Sequence, residues 1–214
     1  IGAILAKANQ AIQTLEKYKA VLTQGLTNLS ASEYEGAVTV PEVVGVIQRV
    51  EMVLRIKMEI KRYINELGNE GRLISMQMEE LVGNTEEEAW LLYRDYAREE
   101  EEEGIREIIA GLKKASDDEL MDDNHISRLL GYSLTSVTSE EAVTPRGYRL
   151  LNKIPRLPNV IIHNLVERFE MLPNLMRASI AELDEVDGIG EVRARNIQDG
   201  LKRLQKQVLI DRQM

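Results

Sequence analysis

Val186-Asp187-Gly188-Ile189-Gly190, followed by Ala194 and Ile197, is the stretch that decides how the C-terminal third of this chain folds. An offset of 32 residues separates it from Ile154-Pro155-Arg156-Leu157-Pro158, followed by Ile162 and Leu165. Each copy has an apolar residue, a tight turn of four and a helix with apolar residues at matched positions, which is the signature of an internal repeat. Ser179 and Glu182 predict a capping box at the start of the helix before the second turn. Thr144-Pro145 reads as an N-cap followed by proline at the first helical position. The repeat unit is therefore placed at residues 145–214.

This is a helix-hairpin-helix pattern, and two copies in tandem resemble the paired modules of DNA repair and recombination proteins. Glycine at both flanks, Gly188 and Gly190, allows the turn to adopt positive φ and to approach a phosphate closely. The helix that follows presents free N–H groups and the positive end of its dipole at the same place. Ile189 is expected to point back as an anchor, and Ala194 to let two helices cross tightly. Arg193, Arg195, Lys202, Arg203 and Lys206 supply positive charge on or near that helix. Such contacts hold backbone and read no bases. The first copy departs from the pattern. Pro158 has no N–H to donate; Arg156 can offer a side-chain contact instead, with Lys153 and Arg149 close by. Glu191, in the first turn after the second hairpin, suits the helix dipole but repels phosphate, so modest affinity for plain duplex is expected.

Working towards the N-terminus, residues 131–144 are rich in hydroxyl side chains and lack periodicity, which predicts a linker or partly ordered connection. Residues 1–130 read as a helical bundle, an elongated spine. Leu5, Ala8, Ile12, Leu15, Tyr18, Leu22, Leu26 and Leu29 recur as one face of a long helix. Val43, Ile47, Val50, Leu54, Ile60, Ile64 and Leu67 carry a second stripe, which Thr39, Pro41 and Glu42 open and Gly68 and Gly71 close. A third helix is expected at about 72–82. Thr85 with Glu88 predicts a capping box opening a fourth through Trp90, Tyr93 and Tyr96, and short helices follow at 105–112 and after Ser116–Glu119. Long helices on short loops pack antiparallel. The fold class is all-α.

Composition is that of an ordinary globular chain, with 43% hydrophobic and 29% charged residues. The absence of cysteine excludes disulfides and thiolate metal sites. No apolar run approaches the roughly 20 residues that span a bilayer, so no membrane partner is expected. The net charge of −9 is unevenly spread: residues 145–214 carry 12 Lys+Arg and 9 Asp+Glu, a net of +3, whereas residues 1–144 stand at −12. A polyanion must therefore meet the C-terminal third. The chain opens on Ile1 and not Met, so a fragment of something longer is expected.

The run Asn152-Lys153-Ile154-Pro155-Arg156-Leu157-Pro158, with Gly188-Ile189-Gly190-Glu191-Val192-Arg193-Ala194-Arg195, resembles the C-terminal domain of the DNA integrity scanning, DisA-type diadenylate cyclase family. Residues 4–12 and 47–57 resemble the helical spine of that family. The resemblance implies a DNA-binding tail, preferring branched forms such as four-way junctions, behind a spine and an N-terminal domain that condenses two ATP into cyclic di-AMP. It also implies an octamer for the full-length relatives, with this fragment monomeric or weakly associating, and a cytoplasmic, nucleoid-associated location. The Asp-Gly-Ala and Arg-His-Arg catalytic motifs of the family occur nowhere in this chain. No enzyme activity is expected of it, and no cofactor: ATP and a divalent metal belong to the cyclase domain. The implied DNA-binding residues are Gly188, Ile189, Gly190, Arg193, Arg195, Arg156, Lys153 and Lys202.

Other features read as structural. Glu99–Glu103 is a solvated charge run, and Asp117, Asp118, Asp122 and Asp123 lack the glycine and terminal glutamate of a calcium loop. His125 and His163 have no ligand-spaced companions. Met52, Met58, Met76 and Met78 are expected to pack, with Trp90 and Tyr93 anchoring the bundle. Aromatics at 4% argue against a base-stacking platform. The competing reading is a helical oligomerisation or protein-interaction scaffold that does not touch DNA.

Overall fold

The computed structural model describes residues 1–213. Among them there is no strand, only an isolated antiparallel bridge between Thr39 and Ala142, and the fold is all-α. Helix α1 (Gly2–Glu35) and helix α2 (Val40–Leu67) form the longest pair and lie against each other along the two predicted stripes. Leu15, Leu22 and Leu29 meet Ile47, Val50 and Ile60 in a water-free seam. The turn between them forms because Gly36 takes a left-handed φ of 68°, which lets its own N–H and that of Ala37 return to the last carbonyls of α1. Thr39 is the extended N-cap of α2 and Pro41 sits in its first turn. The predicted side-chain cap is absent there, because the Glu42 carboxylate accepts a hydrogen bond from the Ser32 hydroxyl of α1 at 2.8 Å.

Helices α3 (Arg72–Val82), α4 (Thr85–Tyr96), α5 (Glu102–Lys114), α6 (Asp117–Leu120) and α7 (Asp123–Leu129) complete the first core around α2. The Ser116–Glu119 capping box is formed. The Thr85–Glu88 box is not: Asn84 is the N-cap, and Thr85 Oγ1 and Glu88 Oε2 are buried without partners. Tyr93 is buried and donates to Glu51, and Trp90 is partly buried. Met78 is buried, but Met58 and Met76 are 55% and 57% exposed, contrary to expectation. Each lies two residues from a buried isoleucine, Ile56 or Ile74, which puts it on the outer helix face.

Residues 131–144 are not a loose connection. Val40 N–H donates to Glu141 O at 2.8 Å and Val143 N–H to Val38 O at 3.0 Å. Ser136 is buried, and Val137 and Val143 pack on the first core. The segment lacks periodicity because it satisfies its backbone in turns and against the α1–α2 corner.

The second core is built from α8 (Tyr148–Leu151), α9 (Asn159–Phe169), α10 (Leu172–Arg177), α11 (Ile180–Asp184) and α12 (Glu191–Gln213). No helix starts at Thr144-Pro145. Helix α8 starts at Tyr148, with Gly147, whose φ is 117°, as its N-cap, because a carboxylate from α4 caps it. Asp95 Oδ1 accepts from the N–H groups of Gly147 at 3.0 Å and Tyr148 at 2.7 Å, and Oδ2 accepts from Arg149 N–H at 3.2 Å. The Arg149 guanidinium is buried and pairs with Glu33 of α1 at 2.7 Å. Glu33 also accepts from the Tyr96 hydroxyl, and Arg149 donates to Ser30. Arg149 is thus a structural cation between two buried carboxylates, unavailable to a phosphate. Helix α12 returns along α1, where Tyr34 donates to Leu201 O at 3.4 Å.

Removing one member of a buried ion pair strands the other. Arg149→Ala is expected to lower stability by about 3–5 kcal/mol, read from the urea midpoint. Asp95 adds a pH term. Burial, then the Glu33 charge, push its carboxyl up to about 7 from 3.8. The folded chain then holds a proton that the unfolded chain releases, so this stability is full at low pH and is lost as pH rises through about 7. Thermal denaturation from about pH 4 to about pH 8 should show that decline in the parent and its flattening in Asp95→Asn.

Candidate nucleic-acid interface

The two hairpins are related in backbone as well as in sequence. Ile154 N–H donates to Leu151 O at 3.1 Å, and Val186 N–H to Leu183 O at 3.1 Å. Ile162 N–H donates to Pro158 O at 3.1 Å, and Ala194 N–H to Gly190 O at 2.9 Å. Both of these atom pairs recur at the 32-residue offset, whereas the bond from Ile189 N–H to Val186 O at 3.0 Å belongs to the second hairpin alone. The left-handed residue recurs too: φ is 62° at Arg156 and 84° at Gly188. A turn of this geometry favours glycine, and the first copy holds an arginine in it. The Ser179–Glu182 capping box forms as predicted and fixes the start of α11.

The two glycines of the second hairpin differ. At Gly188 a Cβ would lie 2.4 Å from Ile161 Cδ1 of α9, so this glycine serves the packing of one hairpin on the other. Gly190 does not have positive φ, and a Cβ there would meet nothing within 4 Å. The expectation of positive φ at both flanks is corrected: only Gly188 needs it, and Gly190 leaves open space at the start of α12. Ile189 is the anchor, 6% exposed, and Ala194 is fully buried where α12 crosses the module.

A groove of about 820 Å³ runs between the hairpins. Arg156 lines it from the first copy, and Gly188, Gly190, Arg193, Asn196 and Arg203 from the second. Arg193 Nη1 donates to Gly188 O at 2.8 Å, which fastens the guanidinium beside the turn. Of the sequence-predicted residues, the groove thus brings together Arg156, Gly188, Gly190 and Arg193, with Ile189 buried beneath. Arg195, Lys153 and Lys202 lie outside its lining. Arg195 pairs with Glu191 at 2.9 Å, and Lys202 is exposed. Lys153 is exposed as a residue, although desolvation and then Arg149 push its ammonium down. Arg203, one of the basic residues of the second helix, and Asn196 join the groove beyond the implied DNA-binding set. Asn196 has a detectable signal in its repeat counterpart Asn164, which donates to Asp187 O at 3.2 Å.

Carboxylates border the groove. Glu191 lines it. On its other side the first hairpin faces the spine across a cleft of about 430 Å³, lined by Asn159 and Asn152 and by Glu86 and Glu87 of α4. His163 stands between Tyr148, at 3.4 Å, and Glu167, at 3.1 Å, and His125 lies 3.9 Å from Glu119. Among the described residues no helix is long and apolar enough to cross a membrane.

The family model described as the DisA bacterial checkpoint controller linker region matches residues 1–139. Proteins named DNA integrity scanning protein DisA from Bacillus thuringiensis (strain Al Hakam), Bacillus cereus (strain AH187) and Bacillus anthracis (strain CDC 684 / NRRL 3495) are each 52% identical over 212 residues. The match covers 99% of this chain and 59% of each relative, so the chain spans little more than half of their length.

The matched left-handed positions predict opposite responses to substitution. Gly188→Ala should lower stability by at least about 1–2 kcal/mol, the cost of a Cβ in that region, because Ile161 Cδ1 must also move aside. Arg156→Gly relieves the same strain and loses about 0.5–1 kcal/mol to chain entropy, so stability should hold or rise slightly. Chemical denaturation of the two variants against the parent checks the pair.

Proposed function

The chain belongs to the DisA linker family, and from that premise we propose that residues 145–214 bind nucleic-acid backbone without reading base sequence. The supporting observation is the groove between the hairpins, which gathers Arg156, Arg193 and Arg203 at two related turns on a chain of net charge −9. Concentrating cations there, against an acidic spine, steers a polyanion to one face. The amides that open α12 are free of helical acceptors, and Gly190 leaves room for a phosphate to reach them.

The finer reading is that branched DNA is preferred. Two clamps at fixed separation select the path of a backbone, whereas Glu191, Glu86 and Glu87 penalise indiscriminate contact with duplex. In the longer protein, residues 1–130 carry this event to a diadenylate cyclase domain outside the chain and so regulate cyclic di-AMP synthesis. ATP and its metal belong to that domain, as does octameric assembly.

A second reading, an interaction scaffold, draws on one observation. Tyr18, Val21, Met52 and Met121 line an apolar groove of about 480 Å³ on the α1–α2 face, where Tyr18 is 39% exposed instead of completing the stripe.

Mobility shift on a four-way junction and on matched duplex separates the readings. The parent is expected to bind the junction more tightly, with log affinity falling by about 0.9 per phosphate neutralised for each unit of log salt. Arg156→Gln and Arg193→Gln should each reduce that slope by about 0.9. Gly190→Leu, whose Cβ meets nothing within 4 Å in the free protein, should weaken binding about tenfold or more by blocking charge-assisted amide contacts. Parent-like binding by all three would leave the scaffold reading standing.

A further inference from the structure

Val160 and Val192 occupy the same position in the two hairpins, 32 residues apart, and both stand in solvent. They are 70% and 75% exposed. Each is the second residue of the helix that follows its turn, α9 or α12. Around them the copies differ at almost every position: Arg156 faces Gly188 in the comparison, Pro158 faces Gly190, Asn159 faces Glu191 and Ile161 faces Arg193. Both copies nonetheless place a branched apolar residue at this exposed point, and neither valine joins the second core. Local structure offers no use for it, since valine is neither a cap nor a strong helix former.

The surroundings indicate what covers them. Val192 lines the groove that holds Arg156, Arg193 and Arg203. The first helical bonds in α9 and α12 come from Ile162 and Ala194, so the amides just ahead of them, on either side of each valine, have no helical acceptor. Each hairpin tip therefore sets donors for an anion beside an apolar knob. A sugar–phosphate strand has the matching alternation: every phosphate is flanked by the carbon face of a sugar. A protein surface of acidic side chains would satisfy the arginines but would give an isolated valine no regular apolar neighbour.

We propose that Val160 and Val192 are a matched pair of specificity-determining contacts. Each packs on the deoxyribose face next to the phosphate that its hairpin holds. This rests on reading the hairpins as backbone-binding. The contact carries no base information and releases no counterion. It adds affinity that survives salt, and it rewards DNA whose sugars are accessible at two points with the spacing of the hairpins, as at the opening of a branch.

Salt dependence distinguishes this contact from a charged one. Fluorescence anisotropy of a synthetic four-way DNA junction is measured with the full 214-residue chain and with Val160→Ala, Val192→Ala and the double variant. Each single variant is expected to bind about fivefold more weakly and the double about 25-fold, the effect of removing two partly buried methyl groups per site. The slope of log affinity against log salt should stay at the parent value in all three, while Arg193→Gln in the same assay lowers it by about 0.9. Because both valines are exposed, their melting transitions should match the parent. Parent-like affinity in the double variant overturns the proposal, as does a valine variant that changes the slope. If the valine variants bind as the parent does while Arg193→Gln weakens, the valine contact alone is lost. If the parent fails to bind junction DNA, the backbone-binding reading falls and takes this one with it.

Discussion

The structure depends on a guanidinium that water does not reach. Arg149 lies in the first helix of the second core, Glu33 in the last turn of α1, and Asp95 in the last turn of α4. Bringing the three together locks the start of the second core onto the spine. Desolvation opposes the charge on Arg149, but Glu33, Tyr96 and Asp95 outweigh it and hold the guanidinium protonated more firmly than usual. Burial, and then the excess negative charge that one cation leaves between two carboxylates, favour the protonated form of Asp95. The cost of assembling such a cluster is high, so its geometry is exacting. It fixes the hairpins against the spine by packed, hydrogen-bonded contact.

That attachment is doubled at the other end of the tail. Helix α12 starts beside the groove and runs back along α1, where Arg212 pairs with Glu35. The hairpins are thus joined to the spine at the start of the second core, through Arg149, and at the far end of α12. The first core supplies a continuous apolar seam from Ala8 to Leu130. The electrostatics are set with similar economy: the cations of the groove are few, and Arg195 is already occupied by Glu191.

Much of this was legible in the sequence, because helical periodicity is a local property. The stripes on α1 and α2, the bounds of α3, and the boxes at Ser116 and Ser179 all follow from residues three or four apart. The 32-residue repeat extended to hydrogen bonds that no composition could reveal. What escaped was set by partners remote in the chain. Arg149 reads as one more base near Lys153 until Glu33, 116 residues away, is placed beside it. Glu42 matches a local cap pattern, but its bond from Ser32 of α1 decides its fate, and Thr85 matches one too although Asn84 takes the N-cap position. The positive φ of Arg156 was hidden because the residue type disfavours it, and only its alignment with Gly188 carried the signal. Residues 131–144 are packed although aperiodic, because aperiodic sequence signals the lack of a helix, not the lack of contacts.

The separation between Glu33 and Arg149 also orders events during synthesis. Domains emerge at about 5–20 residues per second. The carboxylate of Glu33, like the Val38–Val40 corner that awaits residues 141–143, therefore stays without its partner for several seconds after leaving the ribosome. Until then the spine has an open corner and a charge that resists burial. The nascent chain is held short of its native packing until the start of the tail has been translated, so a truncated product lacking Arg149 is a natural substrate for proteolysis.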